Sequence, residues 1–241
     1  MSKSRLDRRL VSLTAPGSFA AEQYQGLRLT VARLLRQRTA QVVAVTSPAS
    51  GEGKTVTAIN LAAALARGVD ARALLIDADL HRPSVARQLN LPAPDAPGFA
   101  EVLAAEESPD LAGVVQRVEH TSLAVIPAGT SRTAVLRSLQ PQRLTEVLDG
   151  LRQRYDFIVL DTPPLLPVFD AALLTRSADV VLLVVAAGQT PRKLLGESLR
   201  LLDESKVMGI VFNKDDQPLF GYYDGYYRSY FSGETPIGAG G

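Results

Sequence analysis

The sequence predicts an α/β fold, a doubly wound and mostly parallel sheet with helices on both faces, and three observations predict it. Short β-branched runs alternate with longer segments at helical spacing. The runs are continuously apolar rather than alternating, as strands covered on both faces must be. No repeat and no long linker interrupts the alternation, so the 241 residues read as one domain with two flanks.

The six strands are read at 42–45, 73–76, 123–126, 157–160, 180–185 and 207–212. Helices are expected over Thr55 to Arg67, Pro141 to Arg154, Asp170 to Arg176 and Pro191 to Asp203, with Pro141 and Pro191 as first-turn prolines. A further helix, from about Phe19 to Arg38, precedes the first strand. Three prolines between Leu91 and Gly98 mark a surface loop. Residues 1–17, with Lys3, Arg5, Arg8 and Arg9, read as a flexible basic arm, 18–216 as the folded domain and 217–241 as a tail.

Composition excludes several classes of function. There is no Cys, and His81 and His120 stand far apart, so thiolate chemistry, Cys-ligated metals and His-rich sites are absent. A formal net charge of +1 provides no field to hold nucleic acid or an anionic membrane. The longest apolar run, Val180 to Ala187, is far shorter than the ~18–20 residues of a membrane span, and the polar N-terminus has no signal-peptide core. A soluble protein of the reducing cytoplasm is expected.

The strongest local signal follows the first strand. Thr46-Ser47-Pro48-Ala49-Ser50-Gly51-Glu52-Gly53-Lys54-Thr55 runs straight into a helix, the setting a phosphate-binding loop requires. Only five of the 26 basic residues are Lys, which makes Lys54 the more pointed. Ser50, Gly51, Glu52, Gly53, Lys54, Thr55 and Val56 form the expected nucleotide-binding set, Lys54 reaching the β- and γ-phosphates and Thr55 ligating Mg²⁺. Pro48 stands where the strict pattern has Gly and cannot take a positive φ, so the loop must be entered differently.

Carboxylates end two more strands, at Asp77-Ala78-Asp79 and at Asp161-Thr162-Pro163-Pro164. That is the edge where open α/β sheets bind ligands. Asp161 reads as the acid holding Mg²⁺ through water, Asp77 as a second metal-facing acid, and either Asp77 or Asp79 as the general base. The two converge only if the chain turns after Asp77, and that turn is expected. Arg82 either neutralises transition-state charge or pairs with a neighbouring acid; Asn213 either reads an adenine edge or is a turn residue.

Together, Gly51-Glu52-Gly53-Lys54-Thr55, Leu75 to Pro83 and Ile158 to Pro164 resemble the Walker A, A′ and B motifs of bacterial tyrosine autokinases, a resemblance running from about residue 18 to the tail. Related partitioning ATPases carry a Lys where this chain has Ala49. The resemblance implies a P-loop NTPase fold and transfer of the ATP γ-phosphoryl group to a C-terminal tyrosine cluster, in control of capsule or exopolysaccharide export. Five of seven tyrosines, Tyr222, Tyr223, Tyr226, Tyr227 and Tyr230, lie within nine residues beside glycines that keep the segment pliable. The resemblance also implies homo-oligomers formed through the N-terminal helix and the tail. The family's E-x-x-R-x-x-R pattern stands here as Glu22, Gln25 and Arg28, and Gln25 lacks the bidentate charge of Arg, which weakens that contact. With no span of its own, a kinase recruited to a separate membrane-embedded activator, peripheral to the inner membrane, is expected. The alternative is a nucleotide-switched ATPase that regulates assembly without phosphorylating tyrosine. Nucleic-acid binding by the tail lacks a basic cluster, since Arg228 faces Asp224 alone.

Overall fold

The computed structural model describes residues 6–34, 41–91, 96–105, 113–132, 140–167 and 169–215. The tyrosine cluster and the proline-rich 92–95 stretch lie outside them. In chain order the elements are α1 (Val11–Thr14), α2 (Phe19–Leu34), β1 (Gln41–Thr46), α3 (Lys54–Ala66), β2 (Ala73–Asp77), α4 (Val85–Gln88) and α5 (Phe99–Ala104). There follow β3 (Gln116–Arg117), β4 (Ala124–Ile126), α6 (Pro141–Arg152), β5 (Phe157–Asp161), α7 (Phe169–Ser177), β6 (Val180–Ala186), α8 (Arg192–Arg200) and β7 (Val207–Asn213).

The sheet order is β3-β4-β2-β5-β1-β6-β7, with every pair parallel except β3 against β4. All six expected strands are present. β3 was not legible, because two residues are too few to show a period. Burial on both faces explains the unbroken apolar runs: in β1, Val42 and Ala44 enter one core while Val43 and Val45 enter the other. The first core lies beneath α5, α6 and α7; the second lies beneath α3. In α3, twelve of thirteen residues are buried, Val56 being the exception, because the helix is held between the sheet and α1–α2. Its Ala62-Ala63-Ala64 run has the small side chains such close packing on two sides needs.

Two local expectations are corrected. Pro191 is the N-cap of α8, outside its first turn, with extended ψ of 136°, whereas Pro141 does open α6. The arm is not frayed throughout: Leu10 is fully buried, the Ser12 N–H donates to Asn60 Oδ1 at 2.8 Å, and Asn60 Nδ2 donates to the Arg9 carbonyl at 2.9 Å. A single buried amide on α3 therefore satisfies two backbone groups of the segment that the basic residues had marked as solvated.

The loop after β4 is fixed by Glu101 on α5. Its carboxylate accepts from the N–H groups of Gly98 (2.7 Å), Thr130 (2.9 Å) and Ser131 (2.8 Å) and from Thr130 Oγ1 (2.8 Å). Burial pushes this carboxyl up, but the hydrogen bonds outweigh it and hold it at about 2. A depressed carboxyl pKa contributes stability above its ordinary value of 4.5 and loses it as pH falls toward 2. Discounting for solvent screening at this part-exposed site, Glu101→Gln is expected to lower stability by about 1–2 kcal/mol at pH 7 and by progressively less below pH 4.5, read by urea unfolding across pH. A pH-independent difference would refute this.

Candidate nucleotide and phosphotransfer site

Parallel pairing sets the site. β1, β5 and β2 are neighbours, and Val45 pairs with Asp161 while Asp77 pairs with Asp161, so the loop after β1 and the acids ending β2 and β5 meet at one sheet edge. The loop is entered without the missing glycine because the next connection braces it: the Leu165 N–H donates to the Ser47 carbonyl at 2.8 Å and the Leu166 N–H to the Pro48 carbonyl at 3.2 Å. The positive φ values fall on Gly51 (86°) and Gly53 (94°), leaving Pro48 unstrained.

The Lys54 ammonium lies 2.7 Å from Asp79 Oδ2 and 3.5 Å from Asp161 Oδ1, all three side chains being buried. Burial pulls the Lys54 pKa down, but the Asp161 and Asp79 charges outweigh it and the net direction is up. β2 ends at Asp77 and the Ala78 N–H donates across to the Asp161 carbonyl at 2.9 Å. That is the expected turn, and it separates two acids that are two residues apart. Asp79 is fully engaged, by Lys54 through Oδ2 and by the Arg82 N–H through Oδ1 at 2.9 Å. Asp77 Oδ2 instead accepts from the Ser84 and Val85 N–H groups at 3.0 Å each, which caps α4. Asp77 Oδ1 has no partner among the described residues. Burial and then the Asp161 charge push the Asp77 carboxyl up to about 8, and burial raises Asp161 as well.

Asp161 Oδ2 is likewise buried without a partner, and the Thr55 hydroxyl stands beside the Asp161 carboxyl. Two orphaned carboxylate oxygens beside a hydroxyl suit a hard cation that takes its remaining ligands from phosphate and water. Among the described residues no cluster of three or more His, Cys, Asp or Glu side chains could hold a metal by itself. The donor set thus fits magnesium arriving with a nucleotide.

Glu52 and Asn213, read from the sequence as nucleotide-binding, turn their side chains to the loop itself. The 5% exposed Glu52 carboxylate accepts from the N–H groups of Ala49 (3.2 Å) and Ala186 (3.1 Å), tying the loop to the end of β6. Asn213 Nδ2 donates to the Glu52 carbonyl at 2.8 Å and closes over Gly53, so this amide braces the loop through its nitrogen. No sequence signal marked these braces, whose ends lie more than 130 positions apart. Arg82 is exposed beside the site, and His81 Nε2 meets Asp170 Oδ2 at 2.7 Å. Arg28 lies close to Gly68, at the end of α3.

A glycine-turned loop at a helix N-terminus, a buried lysine, and acids ending two flanking strands define a P-loop nucleoside-triphosphate-binding protein. Residues 40–200 match the family described as AAA domain. The chain is 32% identical over 225 residues to the tyrosine-protein kinase YwqD of Bacillus subtilis, covering 91% of this chain and 93% of that protein. It is 35% identical to the succinoglycan biosynthesis transport protein ExoP of Rhizobium meliloti over 94% of this chain, but spans only 28% of that protein's length. Among solved structures it superposes on the kinase domain of the Escherichia coli tyrosine kinase ETK with a TM-score of 0.74 at 25% identity, over 88% of this chain and 84% of that one. The chain belongs to the family of bacterial tyrosine-protein kinases. No helix among the described residues is long and apolar enough to cross a membrane.

Proposed function

We propose that this protein is an ATP-dependent tyrosine kinase that phosphorylates its own C-terminal cluster, Tyr222, Tyr223, Tyr226, Tyr227 and Tyr230, and thereby regulates exopolysaccharide or capsule export together with a membrane-embedded activator. The observation that carries the reading is the division of labour between Asp79, which holds Lys54, and Asp77, which keeps a buried oxygen without a partner. The loop N–H groups and Lys54 bind the β- and γ-phosphates, the ammonium exchanging Asp79 for phosphate oxygens. Thr55 and Asp161 would hold magnesium, with Asp77 facing it, and the ion would screen phosphate charge when bound. The tyrosine oxygen attacks the γ-phosphorus, the new P–O bond replaces the bridge to ADP, and Asp77 Oδ1 takes the phenolic proton. Arg82, at the rim, faces the charge that develops in transfer.

The names of relatives support both halves of this reading, tyrosine-protein kinase for YwqD and succinoglycan biosynthesis transport for ExoP. Subunit contacts through α2 and the tail belong to the same proposal, with Gln25 weakening them. Incubation of the purified chain with ATP and Mg²⁺, followed by phosphopeptide mapping, is expected to find phosphotyrosine within 222–230. ATP turnover with no phosphotyrosine, alone or with an activator fragment, would favour the nucleotide-switched ATPase instead.

A further inference from the structure

A cleft of about 170 Å³ opens beside the phosphate site, between α4 and the loop after β4. Its walls include Asp77, Ser84, Arg87, Pro127, Gly129 and Arg132. No residue of the phosphate loop lines it, and Asp77 is the one carboxyl among its ten lining residues. In the kinase reading above, the buried Oδ1 of Asp77 without a partner receives the phenolic proton, which makes this the acceptor side of the site. A tyrosine ring is neutral and gives no reason for two cations there. Arg87 is nevertheless exposed at the cleft, and Arg132 has an enclosed Nε with no hydrogen-bond partner among the described residues. Glu101 clamps Thr130 and Ser131, so the wall bearing Arg132 is held in place before any substrate arrives.

We infer that Arg87 and Arg132 form an oxyanion-binding subsite that selects acceptor tyrosines with a carboxylate or phosphate close by in sequence. The inference rests on the kinase reading above. In an extended peptide, residues two apart point to the same side. Asp224 stands two positions from both Tyr222 and Tyr226, so one carboxylate serves either tyrosine as acceptor. A planar guanidinium pairs with such an oxyanion through two parallel hydrogen bonds.

The test uses the full chain, ATP and three peptides spanning residues 219–231: the native sequence, the Asp224→Asn peptide, and the Asp224→Ser peptide carrying phosphate on the hydroxyl at that position. Asp224→Asn is expected to raise KM about tenfold with kcat within about twofold, and phosphate at position 224 to restore it. The Arg87→Gln, Arg132→Gln double variant should treat all three alike, whereas Lys at both positions should keep part of the preference. Equal KM values for the first two peptides in the native protein, or a preference that survives the double Gln variant, overturns the subsite. If the phosphorylated peptide alone is preferred, the ligand is phosphate and the role of Asp224 is refuted. Fluorescence anisotropy of the labelled native peptide with a non-hydrolysable ATP analogue separates this from the kinase reading. Binding that the double Gln variant loses, without any phosphotransfer, sinks the kinase and keeps the subsite; binding unchanged by that variant sinks the subsite.

Discussion

Lys54→Met should abolish phosphotransfer, by about 10³-fold, and should also destabilise the protein in the absence of any nucleotide. The second effect follows from the site's geometry. The ammonium is the cation nearest three buried acids, 2.7 Å from Asp79 and 3.5 Å from Asp161 with Asp77 also in its field. Removing one partner of such a cluster leaves charge uncompensated, which costs about 3–5 kcal/mol in buried pairs. At roughly 2–4 °C per kcal/mol for a chain of this size, Tm should fall by about 10 °C. The loss should shrink as pH drops from 8 to 5, because Asp77, pushed up to about 8, then protonates, and Lys54→Arg should recover stability while recovering little activity. Calorimetry in chelator-containing buffer decides it: a Lys54→Met protein that melts with the native one would show that the acids find their compensation elsewhere.

Asp77→Asn is expected to move stability in the opposite direction while removing activity. The amide oxygen can still accept from the Ser84 and Val85 N–H groups, and its nitrogen can donate toward the orphaned Asp161 Oδ2. What disappears is a carboxylate that burial and Asp161 both disfavour. Its pKa, raised from 3.8 to about 8, means that stability is fully present below pH 3.8 and is lost as pH rises through 8. The variant should therefore be more stable by about 1–3 kcal/mol near pH 8, with a gain that grows from about pH 6 to about pH 8 and then levels off, and phosphotransfer should fall by about 10²–10⁴. Denaturant melts at three pH values with a phosphotyrosine assay would test it. A variant less stable than native throughout would mean that the Asp77 carboxylate contributes to the fold rather than being tolerated for function.

These opposed expectations arise from two acids separated by one alanine, and the sequence treats them almost alike. Asp77-Ala78-Asp79 after a β-branched run announces a strand-end acid site, as Gly51 to Thr55 announces a phosphate loop, because both are contiguous and draw their chemistry from local backbone geometry. Which acid holds Lys54 and which keeps a free oxygen depends on Ala78 hydrogen bonding to Asp161, on another strand. The basic arm shows the same boundary from the other side. Lys3, Arg5, Arg8 and Arg9 read as solvated, but Asn60 on α3 accepts the Ser12 N–H and donates to the Arg9 carbonyl, which draws the end of that arm onto the core.

The sequence alone determined the doubly wound sheet, its six principal strands, the phosphate loop and the two acid-bearing strand ends. Each is written in neighbouring residues, through apolar runs that need cover on both faces or a motif whose atoms act within one turn. Only the tertiary structure decided the separate hydrogen-bond partners of Asp77 and Asp79, the bracing of the loop by Glu52 and Asn213, the docking of the arm, and the placing of Arg87 and Arg132 on one cleft. The physical reason is that these are hydrogen bonds, an ion pair and a shared cleft wall between residues from seven to more than a hundred positions apart, formed only when packing of the sheet and its helices has brought them together.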